Sequence, residues 1–222
     1  KAAAQFKKVL AIRRQTRGSD DPVLAQSLAD LSDCARLMGD SQQAEALARG
    51  ALDIFRKRQE ESPLLVAIWR RLGMAVAKRD VEQAERCFRE AIAVSERLSG
   101  GRSPVMTAGA HVDEMAGALH DLAGCLLKKG HHEEASMYVD MSLARHIKFN
   151  GNDHPATAFA LLVKSSLLIA ERRPDEAIVH LEKARRIFHK VGAARFEEQT
   201  ARKLAELLEK QSEDKNVQKA TP

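Results

Sequence analysis

At 222 residues and 44% apolar content, the chain is long enough to bury a continuous core, although its aromatics number only seven Phe, one Tyr and one Trp. It holds no apolar run of about eighteen residues and no signal-peptide pattern, so the expectation is a soluble intracellular protein, or a piece of one, placed in the cytoplasm with an organelle matrix left open. A net charge of +5 with 30% charged residues reads mainly as a solvated mixed-charge surface, with a mild bias toward acidic partners.

The frame for the elements is an internal repeat of about forty residues. Ala44, Ala84, Ala135 and Ala177 open successive second helices, each preceded by Gln43, Gln83, Glu134 or Glu176. Seven residues after each stands another small residue: Ala51, Ala91, Ser142 and Ala184. The spacings of 40, 51 and 42 place an insertion of about nine residues in one unit. Alanine at such positions lets helices approach closely, and no alternating Val, Ile and Thr pattern argues for a sheet. The fold class expected is therefore all-α, a solenoid of antiparallel helix pairs in which each unit buries its apolar face against its neighbours.

In chain order, residues 1–17 match only a second helix, with Ala2, Val9, Leu10 and Ile12 in register with Ala44, Ala51, Leu52 and Ile54. A first helix is lacking there, so the chain reads as cut from a longer protein. The second repeat spans 21–61. Asp21-Pro22 starts it as an N-cap with proline at the first helical position, Gly39 ends its first helix, and Ser41 to Arg58 forms the second. Repeat three spans 62–102, from Ser62-Pro63 to about Lys78 and then from Asp80 to about Leu98. Repeat four spans 103–153, with the insertion near 100–115 either lengthening its first helix by about two turns or forming an ordered loop; its turn is at Gly130 and it resumes near His132. Repeat five spans 154–192, from His154-Pro155 through a turn at Arg172-Arg173-Pro174 to Val191. Residues 193–211 read as an amphipathic capping helix carrying Phe196, Leu204, Leu207 and Leu208, and 212–222 as a disordered polar tail.

Trp69-x-x-Leu72-Gly73, Leu122-Ala123, the turn at Gly130 and the Glu134-Ala135 pair resemble the tetratricopeptide repeat. The longer period, Gly18-Ser19-Asp20-Asp21-Pro22, and Gly151-Asn152-Asp153-His154-Pro155-Ala156-Thr157-Ala158 resemble its kinesin-light-chain type. Ala51-Leu52-x-Ile54 and Ala91-Ile92-x-Val94 fit the same type, and the likeness covers about residues 1–191. It implies a right-handed superhelical solenoid with a capping helix, acting as a non-catalytic scaffold or adaptor that binds a partner protein segment in its concave groove. At the place where kinesin-like units often carry a peptide-contacting asparagine, this chain has Asp30, Arg71, Asp121 and Val163.

First helices of such a stack line the groove, which points to Arg36, Arg70, Met74, Lys78, His120, Leu127, Lys128, Phe159 and Leu162 as partner-binding residues. The middle of that face is mildly basic and its C-terminal part apolar, with Gly117 and Gly124 leaving room for backbone approach. An extended or helical peptide with acidic residues and one or two apolar anchors fits the profile, with Arg70, Lys78 and Lys128 as its charge partners. The alternative for Phe159, Leu162 and Ile169 is packing on the capping helix, and for the basic side chains, solvation. The carboxylate-gripping Lys–Asn–Asn–Lys–Arg pattern of the co-chaperone type is not supplied by Ala29, Asp33, Ala67 and Arg71.

No cofactor and no metal are expected. His131-His132-Glu133-Glu134 is not HExxH, and adjacent histidines at a turn point in different directions. Cys34, Cys87 and Cys125 form no CxxC pair and read as small buried residues of a reducing compartment. No phosphate-binding glycine loop or nucleophile motif is present, so an enzyme is not expected. Nucleic-acid binding is the competing class, through Lys1, Lys7, Lys8, Arg13, Arg14 and Arg17, with a second cluster at Lys183, Arg185, Arg186 and Lys190; the scarcity of stacking aromatics weighs against it. Self-association through the ends of the array is a third.

Overall fold

The computed structural model describes residues 20–58, 61–100 and 110–220, with side chains from 114 to 213 in the last stretch. Among them are nine helices: α1 (Pro22–Leu37), α2 (Ser41–Arg58), α3 (Pro63–Val76), α4 (Val81–Leu98), α5 (Ala110–Lys128), α6 (His132–Asn150), α7 (Pro155–Ala170), α8 (Pro174–Lys190) and α9 (Ala194–Ala220). No strand occurs among the described residues. The half-repeat at 1–17 and most of the insertion lie outside these residues. The chain divides into two compact units, one ending at Cys125 and the other beginning at Leu126, a boundary inside α5.

Local chemistry explains where the helices start. Asp21 Oδ1 accepts from the Val23 N–H at 2.7 Å, Ser62 Oγ from Leu64 at 3.3 Å, and His154 Nδ1 from Ala156 at 3.2 Å. Each capping residue precedes a proline whose missing N–H would have been an orphan donor in any case. The second helices α2 and α4 start on Asp40 and Asp80, whose carboxylates accept from the Gln43 and Gln83 N–H groups at 2.9 and 2.7 Å. Between paired helices the chain turns through a left-handed residue at Gly39 (φ 86°) and Gly130 (φ 80°). The α7–α8 turn does the same at Arg172, with φ 58° and a Cβ to accommodate.

In the first unit, α1 pairs with α2 and α3 with α4, and α3 also packs on α2 and α1. Alanines make the seams: Ala35, Ala44 and Ala75 form one buried cluster, with Leu47 against it. Ser32, buried on α1, donates to the Ala44 carbonyl of α2 at 2.8 Å, so its hydroxyl is satisfied across the seam. Gly73 leaves space on α3 for the buried Phe88 ring of α4. In the second unit α7 packs with α6 and α8, and α9 with α8. Leu168, Ala177, Leu181, Leu204 and Leu207 form the core shared by α7, α8 and α9.

At the C-terminal end α9 runs to Ala220. Residues 211–221 contain neither Gly nor Pro, so nothing in their backbone chemistry stops the helix before Pro222.

Candidate functional site

The first-helix face of the first unit is built on charge. Asp33 of α1 accepts from Arg71 Nε of α3 at 2.7 Å and also faces Arg36 at 3.5 Å. Arg70, one residue before Arg71, reaches α5 instead: its Nε lies 2.8 Å from Asp121 and its Nη1 3.1 Å from Glu114. Glu114 also meets Arg71 at 3.6 Å, which closes the chain of contacts. Three first helices are thus tied together by three guanidinium groups and three carboxylates. Gly117 makes the geometry possible, because a Cβ there would lie 2.3 Å from the Arg70 guanidinium carbon.

Protonation follows from this packing. Burial disfavours the Asp121 carboxylate, but Arg70 and His120 outweigh it and hold its pKa below the ordinary value. Burial likewise works against the Arg70 cation, and Asp121 and Glu114 more than restore it. His120, 7% exposed and 3.4 Å from Asp121, has its pKa lowered by burial despite that neighbour, and is neutral at pH 7. The network is therefore close to charge-neutral.

Set against the expected site, the first unit keeps Arg36, Arg70, Met74, Lys78 and His120 with very different exposures. Arg70 is only 21% exposed and is engaged by two carboxylates, and His120 is buried. Met74 is partly buried, and Lys78, at the end of the face, is exposed. In the second unit Lys128 is exposed and Leu127 partly buried. Phe159 packs edge-on against Phe188 and Phe196, with ring centroids 5.2 and 4.9 Å apart, and Leu162 packs against the cores formed with α8 and α9. A cleft of about 230 Å³ remains between α7 and α9, bordered by Leu162, Val163, Ser166, Phe196 and Lys203.

Two features escape a reading of the sequence. One is the network itself, whose pairs are separated by 38, 44 and 51 residues; opposite charges at neighbouring repeat positions were the available signal. The other is Lys203 of the capping helix, whose ammonium meets the Ser166 hydroxyl of α7. A cleft of about 590 Å³ also opens on the other side of the first unit, between α2 and α4, over Leu52, Trp69 and Leu72. Of the basic cluster on α8, Lys183 bonds Asn152 at 3.1 Å and Lys190 pairs with Asp153 at 2.5 Å. Among the described residues there is no group of three or more metal-ligating side chains, and no helix is long and apolar enough to cross a membrane.

Helix pairs repeating about every forty residues, joined through alanine seams, define a helical-repeat protein of the interaction-scaffold class. The tetratricopeptide repeat profile matches residues 1–57 and 114–190. The chain belongs to the tetratricopeptide repeat family. BtubC (BKLC) from P. vanneervenii is similar in structure, with a TM-score of 0.64 at 17% identity over 95% of this chain and 90% of that one. A Podosopora anserina chain with nearly identical TPR-like repeats, assigned as kinesin light chain, gives 0.58 at 22% identity over 86% and 87%. A Rap protein crystallised with Competence and Sporulation Factor gives 0.58 at 15% identity, covering 95% of this chain and 59% of the Rap protein. Among curated protein sequences none matches it. The family is generally a non-enzymatic protein-interaction fold, so its general role for this chain is that of a scaffold for a protein or peptide.

Proposed function

We propose that the chain is a non-catalytic adaptor that binds a segment of a partner protein on its first-helix faces. The observation that carries this reading is the network of Asp33, Arg71, Glu114, Arg70, Asp121 and His120. Its charges answer one another, so it serves to hold three helices in one arrangement and present a preformed surface. Arg36 and Arg70 are then occupied within the protein. The cations left to meet an acidic segment are Lys78 in the first unit and Lys128 in the second, with Met74 and Leu127 as apolar neighbours. Exposed lysines of this kind steer association and choose among partners more than they add affinity.

The test is affinity capture from matched extract with nuclease present, comparing the parent chain with Lys78→Glu/Lys128→Glu. A protein retained by the parent is identified by mass spectrometry and its affinity then measured by calorimetry. A loss of about tenfold or more in the double variant, with an unchanged melting temperature, supports the reading. Equal affinities sink the assignment to these faces. Recovery of nucleic acid alone, released by salt and nuclease, would move the function to the basic cluster of Lys183, Arg185, Arg186 and Lys190.

A further inference from the structure

We propose that the cleft between α7 and α9 is a carboxylate-binding subsite, in which the Lys203 ammonium receives an aspartate or glutamate of a bound protein segment while Leu162, Val163 and Phe196 seat an apolar side chain beside it. The proposal rests on the interaction reading above and adds to it a place and a chemistry.

Lys203 is partly buried, and among the described residues its ammonium makes one hydrogen bond, donating to Ser166 Oγ at 2.6 Å. That hydroxyl is itself committed, since it donates to the Leu162 carbonyl at 2.9 Å. An ammonium has three donors, so two are left facing the cleft or solvent. Among the described residues no carboxylate lies within ion-pair distance of Lys203, and Glu206 on the same helix acts on it only from a distance. Burial accordingly pushes the Lys203 pKa down, the mark of a cation short of solvation.

The contrast within the same unit is Lys164, also partly buried, which has its own acidic partner: Asp140 at 2.8 Å, with Ser136 at 3.3 Å. One lysine is compensated internally and the other is not. An incoming carboxylate at Lys203 would replace missing hydration with a charge-assisted hydrogen bond in a recess with apolar walls, where such a bond is stronger than on an open surface. The volume of about 230 Å³ accommodates a short acidic side chain with an apolar neighbour.

The experiment uses the full chain labelled with ¹³C,¹⁵N-lysine, the Lys203 signal being assigned by its loss in Lys203→Met. The probes are an N-acetylated, amidated Ala-Leu-Glu-Leu-Ala peptide, its counterpart with Gln in place of Glu, and acetate alone. The expected result is a saturable shift of the Lys203 signal with the Glu peptide, affinity about tenfold weaker for the Gln peptide, and no discrimination in folded Lys203→Met. Equal binding of both peptides, an unmoved Lys203 signal, or an equal response to acetate at the same concentration would overturn the proposal. A partner that loses affinity for Lys78→Glu/Lys128→Glu but not for Lys203→Met removes the subsite alone. A Lys203 response without any effect of the other two lysines removes the face assignment and leaves the subsite.

Discussion

At Gly73 a Cβ would lie 2.5 Å from the buried Phe88 ring, and at Arg172 a Cβ is carried through a left-handed turn. Both positions favour glycine over a residue with a Cβ, against the usual helical preference. Gly73→Ala gains about 1 kcal/mol of helix propensity but must displace a packed aromatic ring, which costs about 1–3 kcal/mol. The urea midpoint should therefore fall, and a rise would mean that α4 yields without strain. Arg172→Gly removes the penalty at φ 58° and should stabilise the protein by about 0.5–1 kcal/mol; a loss would show that the arginine side chain holds the turn. Arg70→Gln takes from Asp121 its guanidinium partner and leaves Glu114 with Arg71 alone. A loss of about 2–4 kcal/mol is expected, less than for a fully buried pair because Arg70 is 21% exposed. Adding Asp121→Asn should restore part of it, and a fully additive loss in the double variant would argue against a coupled network.

The elements are tied to one another by two kinds of charge contact with different consequences. Loop carboxylates meet the ends of second helices in a recurring pattern: Asp20 with Lys57, Glu61 with Arg97, and Asp153 with Lys190, at separations of 37, 36 and 37 residues. All are exposed, so they hold loop geometry more than stability, and Lys57→Ala should leave the urea midpoint unchanged. The network joining α1, α3 and α5 is sheltered, and there pH enters. His120 has its folded pKa below the ordinary value of 6.5, through burial. The unfolded chain therefore takes up a proton before the folded one does. The stability conferred by neutral His120 is complete above about pH 6.5 and is lost as pH falls from there through the folded pKa. Asp121, with its pKa also lowered, loses its contribution in the same direction at lower pH. Unfolding free energies measured between pH 7.5 and 5 should decline in the parent chain and decline less in His120→Gln. Identical slopes would remove His120 as the cause and turn attention to His180, which burial shifts the same way.

At the scale of the whole molecule, stability is distributed over neighbouring helices, and the chain forms two compact units. Leu204 and Leu207 of α9 complete the core of the second unit with Leu168, Ala177 and Leu181. Leu204→Ala should cost about 2–4 kcal/mol, and its effect on amide exchange should concentrate in α7, α8 and α9. Gly73→Ala should act on the amides of α1 to α4. In a repeat array each element answers mainly to its neighbours, which is why such effects stay local. Equal loss of protection throughout the chain after either substitution would instead indicate a single cooperative unit.

Helix starts and turns were legible in the sequence because they depend on residues within a few positions of one another. Asp21-Pro22, Ser62-Pro63, His154-Pro155, Gly39 and Gly130 act through their own φ angles and nearest N–H groups. The alanine period was legible for a related reason, since each repeat solves the same packing problem with the same small residue. Which charges are available to a partner was decided only by the tertiary structure. Arg70 and Lys78 look alike in the sequence, but one is met by Asp121 and Glu114 and the other remains in solvent. Phe159 looks like an anchor until Phe188 and Phe196 close around it, and Lys203 looks like a surface lysine until α7 supplies a hydroxyl and no carboxylate. Charge and apolar character belong to a residue, but their availability depends on which side chains lie near them, and those come from some thirty to fifty residues away along the chain.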